Sequence, residues 1–577
     1  MTLSKRHATW LAATDELRRQ SARHPKVLLV AICCLLFLPG LGERDLWNPD
    51  EPRYAEVTRE MLASGNLLVP HLNGEVYGHK PPLMFWAMAL ASLFVGRLDE
   101  LAVRLPSALA AIGSVLLVHG LGRRLFGDAA ALLAGVVLAT STKVLWQART
   151  GQIDMLLTFF VTAAAYFWIR AFLERKPWWY LLGFAAAGLG TLAKGPAALL
   201  PLLLSFVVFF RLERRREELA SMRIGRGLLI WAGVTLAWLV PAALAAGLPY
   251  LHELLVTQNL TRYTAGAAYA GTRSHLHPWY YYLVVLPVEF LPWSLLLPAA
   301  LLAIRRRGND EQRRSSRLLV CWALVTVLFF SLSPAKRTVY VLQVYPAMAL
   351  LVAAGVALTI GGERRLRYWV SVPVGLFAVL LASAAAAVVA IAPSRPEASL
   401  VPVIFRHGLT AALGFLAAGA AIAAWLALRQ RLLLSTGVLA GAFGIGALAL
   451  LWGVLPSLDT VKSVRPIATR YLALSRPGEA YGFFPRQEPA IQFYTGRLGD
   501  HLETEGELRA FLARPETLWL FAEADALRRL EGRIPAAEVA READPGGLVL
   551  LVSGVENVTD AAQLARSEPL VSDRPQR

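Results

Sequence analysis

Cysteine is scarce in this chain. Cys33, Cys34 and Cys321 are the only three in 577 residues, and all lie inside apolar runs, so no disulfide framework staples its loops. There is no Gly-rich phosphate loop, no internal repeat and no long low-complexity tract, which leaves no signal for a bound nucleotide or a solenoid. The histidines show no compact ligand spacing. His79, His275 and His277 come nearest to a set and match no metal motif, so no cofactor is expected from spacing, with a divalent metal kept open. Acidic residues are outnumbered, 41 against 58 Lys and Arg, for a net charge of +17. In a soluble protein that balance would point to nucleic acid. Here the cations collect in short loops between apolar runs, which is what orientation in a membrane demands, and nucleic acid is not an expected partner.

Apolar residue is what the chain has in abundance: 56% hydrophobic, with a mean hydropathy of +0.48. Soluble proteins do not hold that mean over such a length. Runs of roughly 15–25 residues, about the length that crosses roughly 30 Å of hydrocarbon as a helix, suggest spans at 27–41, 103–121, 129–146, 155–172, 178–193, 196–210, 227–246, 279–303, 317–333, 338–360, 368–392, 408–428 and 432–455. The basic stretch before residue 27 lacks a small-residue cleavage site after its apolar run and reads as a retained signal anchor.

Residues 83–96 are apolar but short, and counting them as a span would flip every later loop. The positive-inside rule decides. With 83–96 along the interface, Arg123-Arg124, Arg170 with Arg175 and Lys176, Arg211 with Arg214–Arg216, Arg305–Arg307, Arg364 with Arg365 and Arg367, and Arg429 with Arg431 all join the basic N-terminus on the cytoplasmic side. The expectation is therefore thirteen spans and one interfacial helix. Residues 42–82, Arg149–Asp154, 247–278 and Ser333–Thr338 then share the outer side, where one site can draw on all four. From 457 to 577 the composition is ordinary and charged, with short strands at Ala480–Phe484, Leu518–Phe521 and Leu548–Val552 and a helical segment at Thr504–Leu512. The fold class is an all-α polytopic membrane domain, 1–456, followed by a small outer α/β domain, 457–577.

Several polar residues in the outer segments have both a plain and a chemical reading. Asp50 can N-cap a helix starting at Glu51-Pro52, with Arg53, Glu56, Arg59 and Glu60 as a solvated face; equally, it can take a proton from an acceptor hydroxyl beside a lipid phosphate. Lys80 can snorkel at the headgroups or, fixed by Pro81-Pro82, hold a phosphate. Asp154 can cap its helix or order Arg149, Arg53 or an acceptor, and Lys194 can neutralise helix carbonyls before Gly195-Pro196. Arg262 and Arg273 suit a monophosphate leaving group. Lys336, Arg337 and Tyr340 are split between phosphate and outer headgroups.

Taken in order, PDEPRYAEVTREMLASG, HKPPLMFW, RTGQIDMLLTFF, LAKGPAALLP, PWYYYLVVLPVEFLPW and KRTVYVLQVYP resemble the GT-C class of lipid-linked sugar transferases, in particular the aminoarabinose transferase and protein O-mannosyltransferase group. The resemblance covers residues 27 to about 360 well. It implies a bacterial inner-membrane enzyme with a cytoplasmic N-terminus and a periplasmic C-terminal domain. That enzyme moves a sugar, with inversion, from a polyprenyl (undecaprenyl) phosphate to a lipid A-like, glycolipid or protein acceptor. By motif match Asp50 looks like the catalytic carboxylate, Glu51 its neighbour and Asp154 the second acid, with Arg53 and Tyr54 of the same motif as substrate contacts. Lys80 and Tyr340 look like carrier-phosphate ligands, joined by an arginine from 262–273; Lys336, read from its place on the outer side, is added as a substrate contact. The aminoarabinose enzymes usually have Glu-Lys-Pro where this chain has His79-Lys80-Pro81, so a carried-over metal site, the sugar and the acceptor all stay open. The rival from another class is a flippase for lipid-linked sugars, which needs a polar path that these spans, poor in internal charge, do not offer. An assembly subunit is a second rival, against which Asp50-Glu51 and Lys80 argue.

Overall fold

The computed structural model describes residues 24–264, 275–359, 366–391, 403–530, 537–541 and 547–553. The basic N-terminal stretch up to residue 23, Arg273, Arg364 and Arg365 lie outside them. Among the described residues, eight helices are long and apolar enough to cross a membrane, or up to nine if the bent pair Asp128–Ala139 and Thr142–Ala148 counts as one span. This is a multi-span membrane protein.

The thirteen expected segments are helical, but not all as single rods. Pro25–Phe37 and the Pro196–Leu212 segment are short for a span, and Trp178–Lys194 reaches 17 residues. The 128–148 segment bends by 65°. At that bend the Thr140 and Ser141 hydroxyls donate to the carbonyls of Val136 and Leu138, and side-chain-to-backbone bonding of this kind ends helices. The 279–303 segment is broken into Tyr281–Glu289, Trp293–Leu295 and Leu297–Arg307, where Pro287 and Pro292 withhold backbone donors.

Residues 83–96 form a 13-residue helix, Leu83–Val95, closed by Gly96 at φ +89°. At 1.5 Å per residue it is about 20 Å long, too short to cross. It packs on Asp50–Ser64 and on Glu100–Phe126 and leaves Leu93 and Phe94 exposed.

Chain direction places the polar segments together. Glu100–Phe126 and Ile153–Glu174 both begin at the end bearing the 42–82 loop and finish at Arg123-Arg124 and at Glu174-Arg175-Lys176. Trp178–Lys194 returns to the first end, and Leu200–Leu212 leaves it again for Arg211.

The strands read from the C-terminal sequence are present as Ala480–Phe484, Leu518–Glu523 and Leu548–Ser553. They lie in a five-stranded sheet of order Asp500–His501, Ala480–Phe484, Leu518–Glu523, Leu548–Ser553, Ala537–Arg541. The first two pairings are parallel and the last two antiparallel. Glu505–Leu512 follows a Thr504 capping box. The sheet region docks on the first loop through the helix Pro489–Thr495, which packs against Asp50–Ser64.

Candidate active site

The helix Asp50–Ser64 starts with two acids that end up in different surroundings. Its N-cap is Pro49, and no side chain caps it, so Asp50 is not the structural cap that sequence alone allows. Glu51 is buried in a cage. Arg44 Nη2 and Arg104 Nε donate to it at 2.8 Å each, Arg104 Nη2 at 3.1 Å and the Gly151 N–H at 2.8 Å. Burial pushes its carboxyl up, but Arg104 and Arg44 outweigh that and hold it near about 2. A carboxylate with its acceptor sites filled this way ties the first loop to Arg104 and to the 149–151 turn. It has no lone pair to spare for a substrate proton.

Asp50 is held differently. Arg337 Nη2 and Gln152 Nε2 both donate to Oδ2, at 2.8 and 3.3 Å. Oδ1 has no hydrogen bond among the described residues. Burial raises this carboxyl, and Arg337, Arg53 and Lys80 together bring it below the ordinary aspartate value. Asp50 is thus an ionised carboxylate at neutral pH with one free oxygen.

Lys80, whose charge acts on Asp50, lines a cavity of about 440 Å³. Lys80, Lys194, Arg262 and Tyr340 line it together with apolar side chains, Leu157, Leu200, Leu255, Phe329 and Phe330 among them. Lys80 is half-buried and has no ion pair or hydrogen bond among the described residues. Burial, Arg262 and Lys194 push its amine down to about 7, against the pull of Asp50 and Asp154. The buried Nε–H of Arg262 also lacks a partner, while its Nη1 makes only a long bond to Gln258. Unpaired buried donors of this kind are costly unless something else is to bind there.

Asp154 is paired with Lys194, whose amine also sits 4.6 Å from the Tyr340 ring centroid. Neither of the capping readings for this pair holds: Asp154 makes no cap bond, and the Lys194 amine meets a carboxylate forty positions away in sequence. Arg53 lies near Tyr77, and Tyr54 is buried, with burial followed by the Asp50 charge raising its phenol.

Of the expected contacts, Asp50, Lys80, Arg262, Tyr340 and Asp154 come together, and Arg53 and Tyr54 border them. Lys336 does not join them: its buried amine donates to the carbonyls of His277 and Ser333, at 2.9 and 2.6 Å, and so fastens the 275–277 segment. Its neighbour Arg337 makes the contact with Asp50 instead. Gln152 was not foreseen from the sequence. Arg273 lies outside the described residues. His79 lies 3.6 Å from Glu253, and among the described residues no group of three His, Cys, Asp or Glu side chains converges as metal ligands would.

The profile of the dolichyl-phosphate-mannose-protein mannosyltransferases matches residues 79–246. An undecaprenyl phosphate-alpha-4-amino-4-deoxy-L-arabinose arabinosyl transferase of Enterobacter sp. (strain 638) is 31% identical over 371 residues, 63% of this chain and 65% of that one. Its counterpart in Pectobacterium carotovorum subsp. carotovorum (strain PC1) is 33% identical over 338 residues, 57% of this chain and 58% of that one. These alignments therefore span somewhat less than two thirds of the relatives' length. The fold matches crystal structures of ArnT from Cupriavidus metallidurans. The form bound to undecaprenyl phosphate gives a TM-score of 0.77 at 22% identity, covering 92% of this chain and 99% of that one. The apo form gives 0.78 at 21%, covering 93% and 100%. The resemblance read from the motifs is thereby borne out, and the architecture is that of the GT-C glycosyltransferases.

Proposed function

We propose that this chain, which has the GT-C fold and resembles the undecaprenyl-phosphate aminoarabinose transferases, transfers a sugar from a polyprenyl phosphate to an acceptor hydroxyl with inversion. The observation that carries the reading is the free Oδ1 of Asp50 close to Lys80, which lines a cavity together with Arg262 and a set of apolar side chains. The cavity has the two chemistries of a polyprenyl phosphate: a charged head and a hydrocarbon tail.

In this reading Lys80 and the Nε–H of Arg262 bind the carrier phosphate and stabilise its charge as the glycosidic bond breaks. Tyr340 lines the same head site, and the Asp154–Lys194 pair keeps Lys194 oriented there. Asp50 takes the acceptor proton through Oδ1 while Arg337 and Gln152 fix the carboxylate's direction. Because base and phosphate site face the anomeric carbon from opposite sides, the product is inverted. Arg53 and Tyr54 border the sugar, and Glu51 is a framework residue rather than a reactant.

The site end faces the periplasm of a bacterial inner membrane, with the N-terminus and the basic helix ends cytoplasmic. The separation of Asp50, Asp154 and Lys194 from Arg123-Arg124, Arg175-Lys176 and Arg211 along successive helices supports that orientation. The C-terminal region, 457–577, then forms a periplasmic domain. Lipid A, another glycolipid or a protein is the acceptor class.

Mass spectrometry of envelope lipids and glycoproteins from cells with and without the protein tests the reading. A pentose, aminopentose or hexose missing from one species identifies donor and acceptor together. Identical envelopes, with the purified protein unable to cleave any polyprenyl-phosphate sugar, would overturn it. Movement of lipid-linked sugar across vesicles without cleavage would instead identify a flippase.

A further inference from the structure

Next to the Glu51 cage lies a second, small space of about 10 Å³, with Arg44, Arg104, Trp146, Arg149 and Thr150 among its lining residues. Three of those residues are arginines, each at least nine-tenths buried, and no acidic side chain lines the space. Arg44 and Arg104 share Glu51 behind them, and Arg44 also feels Asp459. Asp45 and Glu100 are taken up by Arg465.

Arg149 has no such partner. It is 6% exposed, yet its hydrogen bonds among the described residues run only from Nη1, to the carbonyls of Leu36 and Phe37 at 3.3 and 3.1 Å. Its Nε–H and Nη2 hydrogens are left over. A buried guanidinium without a counter-charge is costly, since the charge cannot be shed by deprotonation at neutral pH. Burial and the two neighbouring arginines bring it down only to about 10, with the exposed Glu43 as the one opposing charge.

We propose that this small space between Arg44, Arg104 and Arg149 binds one small monovalent anion of halide size, with chloride as the physiological occupant. The volume admits about one water-sized body, which excludes a phosphate or a lipid headgroup. Such an ion neutralises Arg149 and bridges the 40–44 segment to the 149–150 turn. Those two segments flank the Glu51–Gly151 bond and so hold Asp50 in place. The ion is structural and takes no part in proton or group transfer.

The test needs no transferase assay, so it stands or falls apart from the proposed activity. Crystals of the full chain grown in sodium bromide, measured at the bromine edge, are expected to show one anomalous peak in this space. Melting temperature is expected to fall by roughly 3 °C when chloride is replaced by gluconate at equal ionic strength, as the loss of one stabilising ligand would produce. Arg149→Gln is expected to abolish that difference. A space without a bromide peak, holding water only, together with equal melting temperatures in the two salts, would overturn the proposal. If Arg149→Gln does not fold, the bromide map of the unaltered chain decides by itself.

Discussion

Asp50 and Glu51 are neighbours in sequence, but their surroundings make different things of the same functional group. Glu51 faces the dry side of the first loop, where two guanidiniums and a backbone N–H fill its oxygens. On Asp50 both donors crowd one oxygen, and the other is left open among the described residues. Saturated pairing makes a buried carboxylate a strut. Incomplete pairing close to an unpaired cation suits it to the proposed role of base.

The comparison breaks most sharply at Asp50. Asp50→Asn is expected to lower transfer by roughly 10²–10⁴-fold, the range of a lost general base, with carrier binding and melting temperature nearly unchanged. Turnover like the parent's in the purified variant would remove Asp50 from the base role. Arg337→Ala sharpens the same point. Arg337 holds the Asp50 carboxyl down, so without it the carboxyl rises, and activity should begin to fall at a higher pH on acidification than in the parent. An unmoved acid limb of the kcat/KM profile would mean Arg337 does not tune Asp50.

Glu51→Gln should act on the fold instead. It leaves Arg44 and Arg104 buried around a neutral amide, a loss on the order of 3–5 kcal/mol. The expected readout is a large fall in melting temperature, with any protein that stays folded retaining activity. The sign for pH follows from its lowered carboxyl. The stabilisation is complete above about 4.5, its ordinary value, and is lost as pH falls toward about 2. A Glu51→Gln protein of normal stability but no turnover would reverse the roles assigned to the two acids.

Lys80 carries the next effect. Lys80→Ala is expected to weaken carrier binding about 10–100-fold, the worth of one charge-assisted contact of about 1.5–3 kcal/mol. With its amine near about 7, binding of undecaprenyl phosphate to the parent should weaken as pH rises from 6.5 to 8.5, because the free amine loses its proton. Lys80→Arg keeps its charge and should flatten that dependence. Calorimetric titration showing no pH dependence in the parent would count against Lys80 as the phosphate ligand.

Much of this contrast was legible in the sequence, and the missing part has physical reasons. Hydropathy marks the helices because lipid demands apolar length, and the short 83–95 helix is set apart by that same length. The three C-terminal strands were read within two residues of their observed ends. Hydropathy does not report where a helix breaks, so the bend at Thr140-Ser141 and the interruption before Trp293 escaped it. The choice between Lys336 and Arg337 turns on chain direction after Ser333, which motif order does not encode. Pairing of Asp154 with Lys194 joins separate spans. One signal for Glu51 was available: Arg104 lies within an apolar run, and a buried arginine there requires a carboxylate close by.

The smallest effect comes from the rim. Arg465 pairs with Asp45 and Glu100 at 3.0 and 3.1 Å, and its side chain is about half exposed. Arg465→Ala is expected to cost no more than about 1 kcal/mol, because water and salt screen such a pair. The first loop has other ties to the C-terminal region: Asp459 accepts from the Asp45 N–H and Trp47 Nε1, Tyr494 from the Leu46 N–H and Glu488 from Asn48. Docking of the sheet region should therefore survive, with transfer within about twofold of the parent. A loss comparable to that of Glu51→Gln would place the strut of the first loop at this exposed contact rather than in the buried cage.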